Sequence, residues 1–183
     1  MTKQCVVLFP GQGSQKPGML LDLQAEYPLI QEVFQEASAA LGYDLIEVIS
    51  QEEKLSLTEY TQPAILAVSV ALWRIWEPMT DFEIVGMAGH SLGEYSALVC
   101  AGAMTLSEGV RLVAKRGALM QQAVPAGVGA MLAVLGLEDD QVTQVCKAVS
   151  TASHVLTPAN FNAPGQVVVA GHQALVSAFI SWF

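Results

Sequence analysis

Ser91 stands at the centre of Gly89-His90-Ser91-Leu92-Gly93, a spacing that suits a serine nucleophile on a tight turn. The apolar run Glu83-Ile84-Val85-Gly86-Met87-Ala88 leads into it and reads as a short buried strand. Glu94-Tyr95-Ser96-Ala97-Leu98-Val99-Cys100-Ala101 leads out as a small-residue helix. A sharp strand-to-helix turn lifts the serine Oγ clear of the backbone. Glycines two places either side avoid clashes where strand and helix crowd together. The helix N-terminus then sets free N–H groups and a partial positive charge beside any developing oxyanion.

A serine nucleophile needs a base. His90 adjoins Ser91, and adjacent residues on a tight turn project differently, so His90 reads as a wall of the site. His154 and His172 lie far downstream, with nothing in the sequence aiming them at Ser91, and read as structural or surface residues. Arg116 is the other candidate. Arg111 and Lys115 sit at i and i+4 and fit a solvated helix face, whereas Arg116 shares its neighbourhood with Val113, Gly117 and Met120. A guanidinium on that side could reach a cleft and clamp a carboxylate through two hydrogen bonds, or simply be solvated.

Gly11-Gln12-Gly13-Ser14-Gln15-Lys16-Pro17-Gly18 follows the apolar run Cys5-Val6-Val7-Leu8-Phe9. The spacing fits neither phosphate-binding fingerprint, because Lys16 stands where the dinucleotide motif needs its third glycine. What remains is a glycine-rich loop at the C-terminal end of a strand, where open α/β sheets place ligand contacts. Gln12, flanked by glycines, can bring its backbone N–H and amide close to a ligand.

Composition narrows the partners. The 183 residues are 52% hydrophobic with a net charge of −9, which excludes disorder and argues against nucleic acid or an anionic membrane. The longest apolar stretch, Pro63 to Trp76, contains Arg74 and is too short to span a bilayer. Cys5, Cys100 and Cys146 are odd in number and widely spaced, so neither a disulfide framework nor a metal site is expected. No secretory leader opens the sequence, and a cytoplasmic protein with reduced thiols is expected.

The elements that must position these residues alternate as in an α/β fold. Cys5 to Phe9 reads as a central parallel strand; Met19 to Tyr27 and Leu29 to Leu41 read as helices separated by Pro28. Asp44 caps a short helix to Ile49, Gln51 to Tyr60 is polar connection, and Thr61-Gln62-Pro63 opens an apolar helix to Trp76. Thr105 and Glu108 form a capping box for a helix to about Ala123. Composition shifts at Val124-Pro125-Ala126-Gly127, dividing a first domain, residues 1–125, from a second, residues 126–183. The second reads as strand 130–135, helix 138–149, strands 154–158 and 167–170, and a helix from His172. This β-α-β-β-α order lacks only the last strand of a split ferredoxin-like unit, with Asn160-Phe161-Asn162-Ala163-Pro164-Gly165 linking its hairpin.

Phe9-Pro10-Gly11-Gln12-Gly13-Ser14-Gln15, Gln62-Pro63-Ala64, the Ser91 elbow with Glu94-Tyr95, Arg116-Gly117 and Asn160 to Gln166 together resemble the malonyl-CoA:acyl-carrier-protein transacylases of bacterial fatty-acid synthesis. The resemblance implies an incomplete α/β-hydrolase-like parallel-sheet domain with an incomplete ferredoxin-like subdomain. It implies that Ser91 takes a malonyl group from malonyl-CoA and passes it to the phosphopantetheine thiol of acyl carrier protein, with no cofactor of the enzyme's own. It assigns the backbone N–H groups of Gln12 and Leu92 to an oxyanion hole and Arg116 to the malonate carboxylate. His90, Met120, Asn160 and Asn162 become substrate contacts. The resemblance covers a little over the N-terminal half of such enzymes and stops before their catalytic histidine. A truncated chain with nucleophile and clamp but no base, and little turnover, is therefore expected. The competing readings are a catalytically dead carrier-protein-binding module and a serine hydrolase.

Overall fold

Strand β1 (Gln4–Phe9) pairs in parallel with β2 (Glu83–Gly89), so that Val7 lies beside Met87 and Phe9 beside Gly89. In this computed structural model, which describes residues 3–124 and 127–182, the chain divides into two units, Met1–Gln121 and Gln122–Phe183. The boundary expected between Pro125 and Ala126, and the terminal Phe183, lie outside the described residues.

Parallel strands need a crossover. Here it is helical: α1 (Pro28–Leu41), α2 (Leu45–Ser50), α3 (Glu52–Leu55) and α4 (Thr58–Trp76), then a 3₁₀ turn at Glu77–Met79. After β2 come α5 (Leu92–Cys100) and α6 (Leu106–Ala123). The core of this unit lies among the helices. Phe34 of α1, Ile49 of α2, Ile65 and Leu66 of α4, Leu92 of α5 and Val110 of α6 are buried together. Each such side chain contributes roughly 1.5–3 kcal/mol by leaving water. Asp44 caps α2 as expected, accepting from the N–H groups of Ile46 and Glu47.

Four expectations for this unit are corrected. Residues 17–26 are a succession of turns rather than a helix. Their bonds run Leu21 N–H to Gly18 O and Leu23 N–H to Leu20 O, and Leu20 has a left-handed φ of 62° that stops helical propagation. The stretch from Gln51 to Tyr60 is not plain connection but contains α3 and the start of α4. Pro63 does not open α4; it lies inside the helix, which Thr61 N–H bonded to Leu57 O has already begun upstream. Finally, β1 and β2 are not buried on both faces. Val6, Leu8 and Val85 are exposed, because alternate side chains of a strand point to opposite faces and α5 packs on the sheet.

The second unit is a three-stranded antiparallel sheet with two helices. β3 (Gly129–Leu135), α7 (Asp139–Val149), β4 (Leu156–Ala163), β5 (Gln166–His172) and α8 (Gln173–Ile180) follow in order. The sheet order is β3-β5-β4, the first-third-second arrangement of a split β-α-β unit. Val142 and Cys146 of α7, Val167 and Val169 of β5 and Phe179 of α8 form its core. The hairpin link is shorter than expected: Asn160 to Ala163 belong to β4, leaving Pro164 and Gly165 as the turn. Pro158 is tolerated within β4 because that strand is an edge.

Candidate active site

The elbow is built by contacts that exclude side chains. Ser91 sits at φ 54° and ψ −106°, a conformation rare for a residue with a Cβ. A Cβ on Gly89 would overlap the Gly93 carbonyl, and one on Gly93 would overlap the Phe9 carbonyl, so strand and helix could not close around any other pair. Gly93 N–H donates to His90 O at 2.9 Å, tightening the turn. As the first residue of α5, Leu92 has a backbone N–H with no intrahelical acceptor, although its side chain is buried.

Arg116 arrives from α6. Its helix packs against the start of α4 at Gly117, where a Cβ would stand 2.5 Å from Thr58 O. That close approach brings Arg116 to Gln62 on α4 and to Ser91. Arg116 Nη2 donates to Ser91 Oγ at 2.9 Å, and Nη1 donates to Gln62 Oε1 at 2.8 Å. A guanidinium has no acceptor, so the Gln62 amide must turn its oxygen to Arg116. Its Nε2 then faces Met120 and donates to Sδ at 3.3 Å. The Tyr95 ring lies beneath the guanidinium at 5.6 Å, within cation–π range. Among the described residues no carboxylate lies within ion-pair distance of Arg116. A half-buried cation is thus held by neutral acceptors beside an exposed serine hydroxyl.

The glycine-rich loop joins the same site. Gln12 Nε2 donates to Thr58 Oγ1 at 3.3 Å, tying the loop to the first residue of α4. A Cβ on Gly11 would stand 2.9 Å from His90 O, which places His90 against the loop. Gln12, Ser91, His90, Arg116 and Met120 therefore belong to one unit and share neighbours. Asn160 and Asn162 lie on β4 of the second unit, the first half-buried and the second exposed. His154 and His172 also lie there, their rings 4.7 Å apart, with His172 Nδ1 accepting the Val155 N–H.

Sequence reasoning gave no role to Gln62, Tyr95 or Thr58. Gln62 carried a signal: it is an uncharged polar residue in an apolar helix, and it is fully buried, so it needed a partner. Among the described residues no group of three or more His, Cys, Asp or Glu side chains could hold a metal ion. Nor is any of their helices long and apolar enough to cross a membrane.

The chain is 53% identical over 94% of its length to the malonyl CoA-acyl carrier protein transacylase of Salmonella typhimurium, and 45% identical over 95% to that of Staphylococcus aureus. It spans 56% of the length of each. It superposes over its whole length on the malonyl CoA-acyl carrier protein transacylase of Coxiella burnetii, with a TM-score of 0.92 at 44% identity, covering 58% of that chain. A malonyl-transacylase solved in complex with a type II PKS acyl-carrier protein gives a TM-score of 0.89 at 48% identity, over 97% of this chain and 58% of the other. Residues 6–182, which hold the glycine loop, the elbow and the arginine, match the model of the acyl transferase domain, and the chain belongs to that family.

Proposed function

We propose that this chain carries the acyl-binding and nucleophilic part of a malonyl-CoA:acyl-carrier-protein transacylase of fatty-acid synthesis. The observation that carries the reading is the Arg116 guanidinium, hydrogen-bonded to Ser91 Oγ and Gln62 and without a carboxylate partner among the described residues. A cation so placed beside a nucleophile selects an acyl group ending in a carboxylate.

In this reading Ser91 Oγ attacks the malonyl thioester carbonyl, and the carbonyl electrons move onto oxygen. The N–H groups of Leu92 and Gln12 receive that charge, and the Ser91 proton passes to the downstream histidine that the resemblance implies. Collapse expels the CoA sulfur, which takes up that proton, and leaves a malonyl ester on Ser91. The carrier's phosphopantetheine thiol then gives its proton to the same base and attacks the ester, and the same donors hold the second oxyanion. Its collapse returns the proton to Ser91 Oγ and leaves the malonyl thioester on the carrier. Arg116 grips the malonate carboxylate throughout. His90 and Met120 flank the acyl group, and the resemblance assigns Asn160 and Asn162 to the neighbourhood of the CoA or pantetheine. In this reading protein groups and substrate supply the chemistry without a cofactor of the enzyme's own, and the reaction belongs in the cytoplasm.

A second reading rests on a different feature of the site. Among the described residues the hydrogen-bond partner of Ser91 Oγ is Arg116, which cannot accept a proton. A chain that binds carrier protein without turnover fits that feature. Incubation with malonyl-CoA followed by intact-mass measurement separates the two. A malonyl adduct present in the wild type and absent in Ser91→Ala supports the transferase; carrier-protein binding with no adduct supports the module.

A further inference from the structure

The bond between Arg116 and Ser91 bears on selectivity, not on positioning alone. Attack on a carbonyl uses an Oγ lone pair, and Nη2 donates to that oxygen at 2.9 Å. A charge-assisted hydrogen bond is about twice as strong as a neutral one. It stabilises Oγ while the oxygen keeps its electron density and weakens as that density enters the new C–O bond. The contact therefore holds the nucleophile back. The two ends of the guanidinium differ in their freedom. Nη1 is bound to Gln62, which is fully buried on α4 and bonded at its other end to Met120 Sδ. Nη2 is bound to Ser91, which is exposed. Of the two bonds, the one to Ser91 is the one that can yield.

We propose that the Arg116–Ser91 bond is a gate, which an arriving acyl carboxylate opens by drawing Nη2 onto itself. This rests on the reading of Arg116 as the carboxylate seat and extends it. The arginine then discriminates twice: it binds the carboxylate-bearing acyl group, and it releases the serine only for that group. An acetyl group, with no carboxylate, leaves Ser91 held.

Because the serine and the carboxylate compete for one donor, removing either must favour the other. The test is an NMR titration of free malonate followed on the arginine side-chain resonances, in wild type, Ser91→Ala and Ser91→Gly. Glycine tolerates the positive φ at this position, so it serves if alanine disturbs the elbow. The gate predicts that malonate binds about three- to tenfold more tightly once the serine is removed. Equal or weaker binding by both variants overturns the gate and leaves the carboxylate seat intact. No malonate binding by the wild type overturns the seat and the gate together.

Discussion

Gly93, in the first turn of α5, lies against the carbonyl of Phe9, the last residue of β1, so closely that a Cβ would overlap its oxygen and stand 3.0 Å from Pro10 O. Both obstacles are backbone, so no rotamer can relieve them. Gly93→Ala is expected to cost about 3 kcal/mol, a fall in Tm of roughly 10 °C for a chain of this size. Thermal unfolding followed by circular dichroism checks this. An unchanged Tm would mean that elbow and β1 do not meet as described.

Gln62 should matter to the acyl group without touching it. Gln62→Leu removes the acceptor of Nη1 and leaves a partly buried charged donor unpaired, a loss of about 1–3 kcal/mol. The expected result is roughly five- to 150-fold slower malonyl adduct formation. Gln62→Glu is nearly isosteric but supplies a carboxylate to Arg116, filling the seat from within. It should suppress malonate binding while leaving Tm close to wild type; malonate affinity kept by the glutamate variant would argue against Arg116 as the seat.

The start of α6 should be acid-sensitive. Thr105 N–H donates to Glu108 Oε2 at 2.9 Å, Thr105 Oγ1 donates to the same oxygen at 2.7 Å, and Glu108 N–H donates back to Oγ1 at 3.2 Å. The Thr105 backbone bond, and then the hydroxyl bond, hold the Glu108 carboxyl below its ordinary value of 4.5. A lowered folded-state value means that stabilisation is present above pH 4.5 and is lost as the pH falls through the lower folded-state value. The Tm advantage of wild type over Glu108→Gln should therefore be constant near neutrality and shrink below pH 4.5. An advantage that stayed undiminished as the pH fell below 4.5 would contradict the capping charge.

Burial should silence Cys100. Its thiol is pushed up to about 12, chiefly by desolvation, and burial likewise raises Cys146. Alkylation by iodoacetamide at pH 8, mapped by mass spectrometry, should modify both far more slowly in the folded protein than in urea. Equal rates in the two conditions would refute their enclosure.

The sequence made the elbow legible because its glycines answer a steric demand confined to five residues. The capping box at Thr105 is local in the same way. Gln62 was harder to assign, since its partners Arg116 and Met120 lie on α6, beyond the reach of helical periodicity. Met19 to Tyr27 carry helical spacing, but the left-handed Leu20 is a tertiary outcome that periodicity does not encode. The exposed faces of β1 and β2 escape the apolar pattern for a related reason: a run of apolar residues records hydrophobicity, not which neighbour covers it.

The parallel pairing of β1 with β2 has a kinetic consequence. β1 ends at Phe9 and β2 begins at Glu83, with four helices between them. Joining them closes a long loop whose entropy is lost before the strand contacts return anything. The elbow leans on Phe9 through Gly93, and Arg116 reaches it from α6. Ser91 therefore takes up its strained backbone late in folding, when high-contact-order partners arrive. A nascent or partly unfolded chain would hold the Gly-x-Ser-x-Gly residues without the geometry of a nucleophile.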